Sequence, residues 1–377
     1  MRTLDWSEIE DILLGATILG CGGGGELEEG RDYMRSAYEA GRTVALVSPD
    51  ELADEAVLAC PYGVGALTVG DVAFYEGRAF AAEHPAVLAL RALAAHCRCV
   101  FSALICGELG GTSIADAFYP AAMLGLPVVD ADPAARAVPE LQHTLFCVKG
   151  IPIAPQAVVN EIGDTAIITH VADDVRSEAL VRALAVASRS LVWVADHALP
   201  WSQLREAVVP GTISASLRVG RACRETRLSG GSVADAVADV AGGVVVFRGA
   251  VSSFSWQDVE GFTVGEAVVE GSDDFSGSQY LISFKNENLV AWRDGVPDIT
   301  CPDLICVMDE TSGAPVTNPH VEEGSHLAVV GVPAPAAWCT PEGLATFGPR
   351  AVGFDIEFVS LEDRCAVKTR SLPDAVS

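Results

Sequence analysis

Apolar residues recur at helical spacing at Ile9, Ile12, Leu13 and Ala16, and the run behind them stops at Gly20. Ser7-Glu8-Ile9-Glu10 fits a capping box, so the chain is expected to open with a helix capped near Ser7. A glycine loop, LGCGGGGELEEG, follows that helix; a second helix is expected from about Glu26 to Ala40, and TVALVS (43–48) reads as a buried strand. Three apolar runs then each close in a turn: AVLAC into PYGVGA, CVFSALIC into GELGGTS, and LPVV into DADPAAR. Helical patterns over 86–96 and 113–124 alternate with them. This alternation predicts a parallel sheet with helices on its faces, and ligands collect at the carboxyl ends of such strands, where all three turns lie.

Past about residue 165 the pattern changes. Helical stretches near 174–189 and 201–225 give way to GGVVVFRGAVSSF, GFTVGEAVVEG, YLISFKNENLVAW, DLICVMD and HLAVVGVPAP, which read as mostly antiparallel strands. The expectation is α/β with two closely packed domains, 1–166 and 167–377, since neither a repeat nor a low-complexity linker separates them.

Composition narrows the function classes. The 377 residues carry 51 acidic against 24 basic side chains, a formal charge of -27, which disfavours nucleic acid and anionic membranes as partners. No apolar stretch approaches a membrane span and the start lacks a secretory pattern, so a cytoplasmic protein is expected. The 11 cysteines, mostly in apolar runs, read as reduced buried thiols.

Gly20, Gly22 and Gly25 satisfy the spacing of a dinucleotide fingerprint, but that fingerprint needs a strand ahead of it, and Glu26 stands where a phosphate loop needs lysine. The general reading is an N–H cradle from Gly22, Gly23, Gly24 and Gly25 for an anion or a polarised carbonyl, with a tight turn as the plain alternative. Glu108 follows a strand, with Gly110 and Gly111 letting backbone approach closely; it reads as a general base, an acceptor for a substrate N–H, or a helix N-terminal acid. Asp130 and Asp132 leave one strand end with Arg136 and Glu140 behind them, and can divide acid and base roles or cap a helix. Glu140 and His143 would share a helical face, whereas His170, His197, His320 and His326 have no metal spacing and stay unassigned. On a regular strand Asn286 and Asn288 would share one face and Glu287 the other, facing substrate or forming a turn.

Taken together, LGATILGCGGGG, CGELGG, GLPVVDAD with ARAVPELQ, FKNENL, PDLICVMDETSGAPV and GPRAVGFD resemble the S-methyl thiohydantoin desulfurase family, often encoded near hydantoinase-type enzymes. The resemblance runs from about residue 7 to about residue 360, with Cys21, ADPAAR and Lys285 departing from the usual pattern. It implies a Rossmann- or flavodoxin-like first domain, a β-rich swivelling second domain, and hydrolysis of a small heterocycle such as an S-methyl thiohydantoin to hydantoin and methanethiol. Under that reading Glu108 or Asp130 is the base, Asp132 the partner acid, Gly22 to Gly25 the cradle, Arg136 the partner of a substrate carboxylate, and Asn286 and Asn288 close from the second domain. No cofactor is expected; a zinc version with Asp130, Asp132 and a histidine has little support from spacing. A small-molecule substrate is the expected partner, with a homo-oligomer and a link to a hydantoinase open. The competing reading is a non-catalytic ligand-binding or accessory subunit.

Overall fold

The computed structural model describes residues 1–65 and 75–364; Ala66, ending the expected PYGVGA turn, and the tail of the second domain fall outside them. The first helix, α1 (Trp6–Leu19), is capped by Asp5 instead of Ser7. Asp5 accepts the Glu8 N–H at 2.9 Å and Glu8 accepts the Asp5 N–H at 3.2 Å. Asp5-Trp6-Ser7-Glu8 offers the same spacing two residues earlier, and aspartate caps as well as serine. The glycine loop joins α1 to α2 (Leu27–Glu39), so no strand precedes it.

The first sheet contains β1 (Arg2–Thr3), β2 (Ala45–Val47), β3 (Val57–Val64), β4 (Ala103–Leu104), β5 (Pro127–Val129), β6 (Gln156–Asn160), β7 (Thr165–Ile168) and β8 (Val192–Pro200) in the order β1-β2-β5-β4-β3-β8-β6-β7. Its centre, β2-β5-β4-β3, is parallel as expected, and the flanking pairs are antiparallel. Segments on both sides of residue 166 build this sheet, because β8 inserts between β3 and β6. β3 continues through Pro61 to Val64, where a turn was expected. Only Leu58 and Ala59 pair with β4, so Pro61 lies on a stretch bonded on one side, where its missing N–H costs little.

Helix α3 (Gly111–Leu124) packs on α2, and α4 (Thr212–Ser229) on α1. The expected helix over 201–225 is broken: Pro210 and Gly211, at φ +78°, separate a short turn at Trp201–Leu204 from α4. A Cβ on Gly15 would lie 1.8 Å from the Ser216 carbonyl oxygen, and one on Gly220 1.8 Å from that of Asp11. The two helices therefore cross in backbone contact, which Arg224 reinforces through two 2.8 Å bonds to Asp11.

The second sheet is antiparallel throughout: β9 (Val244–Val259), β10 (Phe262–Gly271), β11 (Gln279–Lys285), β12 (Glu287–Arg293), β13 (Val296–Thr300), β14 (Leu304–Asp309) and β15 (His326–Val332), in the order β13-β12-β11-β10-β9-β15-β14. Its Leu304, Cys306, Met308 and Val330 share one apolar core with α1, α3 and α4. The architecture is two-domain α/β, a mixed sheet with a parallel centre joined to an antiparallel β domain.

Candidate active site

A cavity of about 480 Å³ opens where the carboxyl end of β3, the turn after β4, the glycine loop and the β11–β12 turn meet. Of the residues singled out in the sequence, Gly24, Gly25, Glu108, Glu140, Asn286 and Glu287 line it. Asp130, Asp132, Arg136, Asn288, Gly22, Gly23, Gly110 and Gly111 do not; each has other work.

Glu108 projects from the turn after β4 and accepts the Ser113 hydroxyl and the Val138 N–H, both at 2.7 Å. Burial still raises its carboxyl to about 7. Glu287 begins β12 in the second domain and is 3 % exposed, with Oε2 lacking a partner among the described residues. Burial, followed by the nearby Glu108 charge, pushes its carboxyl well above the ordinary range. The two domains thus contribute one carboxylate each to a shared site, and the pair favours a state in which Glu287 keeps its proton.

Asn286 and Asn288 do not face the cavity together. Asn286 adopts φ +59°, and its side chain accepts the Thr263 N–H at 2.9 Å. Asn286 alone makes the β11–β12 turn and Leu289 is an extra residue in the ladder beyond it; Glu287 turns inward while the Asn288 amide donates to the Ile305 carbonyl at 3.0 Å. The Asn288 N–H holds the Cys21 carbonyl at 2.7 Å and the Asn318 N–H holds that of Gly22 at 2.8 Å. The glycine loop is therefore clamped by the second domain.

The loop is also not the open N–H cradle expected. The Gly24 carbonyl accepts the Thr112 and Ser113 N–H groups at 3.1 and 3.0 Å, taking the place at the start of α3 where an anion would sit. A Cβ on Gly110 would fall 2.4 Å from the Gly24 Cα, one on Gly111 2.7 Å from the Glu26 carbonyl, and one on Gly23 2.1 Å from the Glu287 carboxylate. These glycines permit chain crossings and leave room for Glu287.

Arg136 is 1 % exposed and spends its guanidinium on carbonyls: Ala137 at 3.1 Å, Asn288 at 2.8 Å, Asp303 at 2.9 Å and Pro302 at 3.4 Å. It staples the domains and does not reach toward a substrate carboxylate. Asp130 accepts the Ser214 N–H at 2.9 Å and its hydroxyl, capping the first turn of α4. Asp132 folds its own turn, accepting the Ala134 and Ala135 N–H groups at 2.7 and 2.6 Å. Asp130 thus caps a helix and Asp132 holds a local turn through Oδ1, its buried Oδ2 having no partner among the described residues; neither lines the cavity, so the acid–base pair and the zinc version read in them have no support there. Among the described residues no cluster of three or more His, Cys, Asp or Glu could hold a metal ion.

Glu140 lies at the cavity rim, where Lys285 of the second domain and Gln142, at 2.7 Å, bind its carboxylate. Residues 140–143 form a turn, so Glu140 and His143 share no helical face; His143 is buried against Phe347.

The sequence reading missed a polar network that also lines the cavity. Asp196 and His197 lie on β8, and Tyr62 and Gln156 on neighbouring strands; the Tyr62 hydroxyl donates to Asp196 Oδ2 at 2.6 Å and His197 Nδ1 lies 2.6 Å from Oδ1. The one available signal was an adjacent Asp-His at the end of the apolar run VWVA.

So many protonated buried acids set the pH dependence of stability. Glu108 and Asp116 rise to about 7, Asp132 and Asp303 to about 6, and Glu287 further, all chiefly through burial. Between the ordinary carboxyl range and these values the folded chain binds more protons than the unfolded one, so stability is lost as pH rises. His84 and His143, lowered to about 4 by burial, oppose this only below their ordinary value of 6.5. The melting temperature is expected to fall by several degrees between about pH 5 and 7.5 in scanning calorimetry; a rise over that window would contradict the assignment.

Comparison with known proteins agrees with the two-domain fold. Residues 7–170 match the model of the S-Me-THD-like N-terminal domain and residues 172–361 that of the S-Me-THD-like C-terminal domain. A crystal structure of a protein from Chromobacterium violaceum superposes with a TM-score of 0.76 at 23% identity, covering 96% of this chain and 100% of that one, which shows a shared fold. No curated protein matches. No helix among the described residues is long and apolar enough to cross a membrane. Both matched domains, in order and together spanning nearly the whole chain, make it a member of the S-methyl thiohydantoin desulfurase family.

Proposed function

We propose that the protein hydrolyses a small cyclic thioimidate, an S-methyl thiohydantoin, to hydantoin and methanethiol. The observation that carries this reading is the Glu108–Glu287 pair in an interdomain cavity, one carboxyl near 7 and its neighbour held protonated. C2 of such a ring is bonded to sulfur and two nitrogens. A proton delivered to the imine nitrogen makes C2 electrophilic toward water, and a neutral carboxylic acid is the group for that delivery. Glu287 fills this role. Glu108, ionised over the upper part of its range, accepts the remaining ring N–H and so fixes the ring's orientation. The volume of about 480 Å³ suits a substituted five-membered ring.

The test is a product assay on a panel of hydantoins, 2-thiohydantoins and S-methyl thiohydantoins, following thiol release and ring products by mass spectrometry. Release of methanethiol with hydantoin from the S-methyl compounds is the expected result. Binding of these rings without any turnover would make the protein a ligand-binding subunit.

A further inference from the structure

The Glu108–Glu287 pair accounts for the ring but leaves the water without a base, and the same cavity is lined by one. His197 is 5 % exposed and lines the cavity. Asp196, which is fully buried, takes the Tyr62 hydroxyl on Oδ2 and His197 Nδ1 on Oδ1. A carboxylate accepts, so the imidazole proton resides on Nδ1 and Nε2 carries a lone pair. That Nε2 has no partner among the described residues. Gln156 adds a longer contact of 3.4 Å to Asp196, and Phe146 packs against the imidazole, tilted by 32° with centroids 4.2 Å apart, so the ring is held from two sides.

The backbone beneath it is unusual. Leu58 of β3 pairs with Leu199 and Cys60 with Asp196, so His197 and Ala198 together face the single Ala59 in a β-bulge. Within that bulge His197 adopts φ +47°, a left-handed conformation that favours glycine. A histidine kept there, oriented by an aspartate, with its free nitrogen unpaired at a cavity wall, is costly as packing alone.

Resting on the hydrolase reading above, we infer that His197, positioned by Asp196 and Tyr62, is the catalytic base that takes a proton from the attacking water and passes it to the departing sulfur. In the first step the water oxygen bonds to C2, its proton goes to His197 Nε2, and the C2–N π pair moves onto nitrogen, which takes the Glu287 proton. In the second the hydroxyl proton returns to Glu287, the C2–O double bond forms, and the C2–S bond breaks. The methanethiolate takes the proton from His197. Both side chains end as they began, and the sum is substrate plus water to hydantoin plus methanethiol.

The test is His197→Gly, because glycine is at ease at φ +47° and leaves a gap the size of an imidazole. Thiol release is expected to fall at least about 100-fold, with hydantoin still raising the variant's melting temperature. Added imidazole is expected to restore it at least about tenfold. Thiol release within about threefold of wild type would overturn the inference alone. So would a loss that imidazole does not repair in a variant that still binds hydantoin, which would make His197 a packing residue. For a variant that fails to bind hydantoin, Tyr62→Phe decides: it removes only the hydroxyl on Asp196, and unchanged turnover there overturns the inference. Absence of thiol release by the wild type would instead remove the hydrolase reading on which it rests.

Discussion

Replacing Glu287 by glutamine is expected to lower turnover of an S-methyl thiohydantoin about 100- to 1,000-fold while leaving the melting temperature nearly unchanged. Glutamine keeps the shape and can still donate a hydrogen bond to the ring nitrogen, but it has no proton to give. The fold should tolerate it because Glu287 is already held protonated by its burial and by Glu108, so no buried charge is lost. The side chain also keeps the space that Gly23 leaves for it. A separate measurement of kcat and KM sharpens the result: an acid acting only as the ring nitrogen gains its proton affects kcat far more than KM. Turnover above roughly a tenth of wild type in a folded variant would remove Glu287 from the acid role.

The second large effect is on stability. Arg136→Lys is expected to cost about 3 kcal/mol or more, because one ammonium cannot span four carbonyls that a planar guanidinium reaches at once. Those carbonyls belong to Ala137 in the first domain and to Asn288, Pro302 and Asp303 in the second. The guanidinium also lies 5.2 Å from the Phe347 ring centroid, a contact that lysine changes. A fall in melting temperature of roughly 4 °C or more follows. If Arg136 instead paired with a substrate carboxylate, the same variant would raise KM and leave the melting temperature where it was. Thermal unfolding alone therefore distinguishes a staple from a substrate ligand.

These two residues also mark what could be read in the chain. Local pattern carried most of the helices and many of the strands, the change to β structure in the second half, and the position of the glycine loop between two helices; it missed the break at Pro210-Gly211 and the helix Val233–Ala241. It also placed Glu108 at a strand end, beside the cavity. Roles set by distant partners were not legible. Nothing near Asp130 announces that Ser214 will claim its carboxylate, and nothing near Arg136 announces three carbonyls from the second domain. The FKNENL segment misled for a different reason. A strict alternation puts two asparagines on one face, but Asn286 is a left-handed turn residue and not part of a strand, so it lines the cavity beside Glu287 while Asn288 turns away. His197 escaped in the same way, since its orientation depends on a bulge created by pairing with β3.

The central claim is that water adds at C2 of a cyclic thioimidate with Glu287 as the acid, and its most direct test is one isotope measurement. Wild type and Glu287→Gln are incubated with an S-methyl thiohydantoin in ¹⁸O water, and the products are read by mass spectrometry. The wild type is expected to give methanethiol together with intact hydantoin bearing one ¹⁸O at its C2 carbonyl, and the variant at least about 100-fold less of both. Label in a ring-opened carboxylate, or equal thiol release by the two proteins, would contradict it.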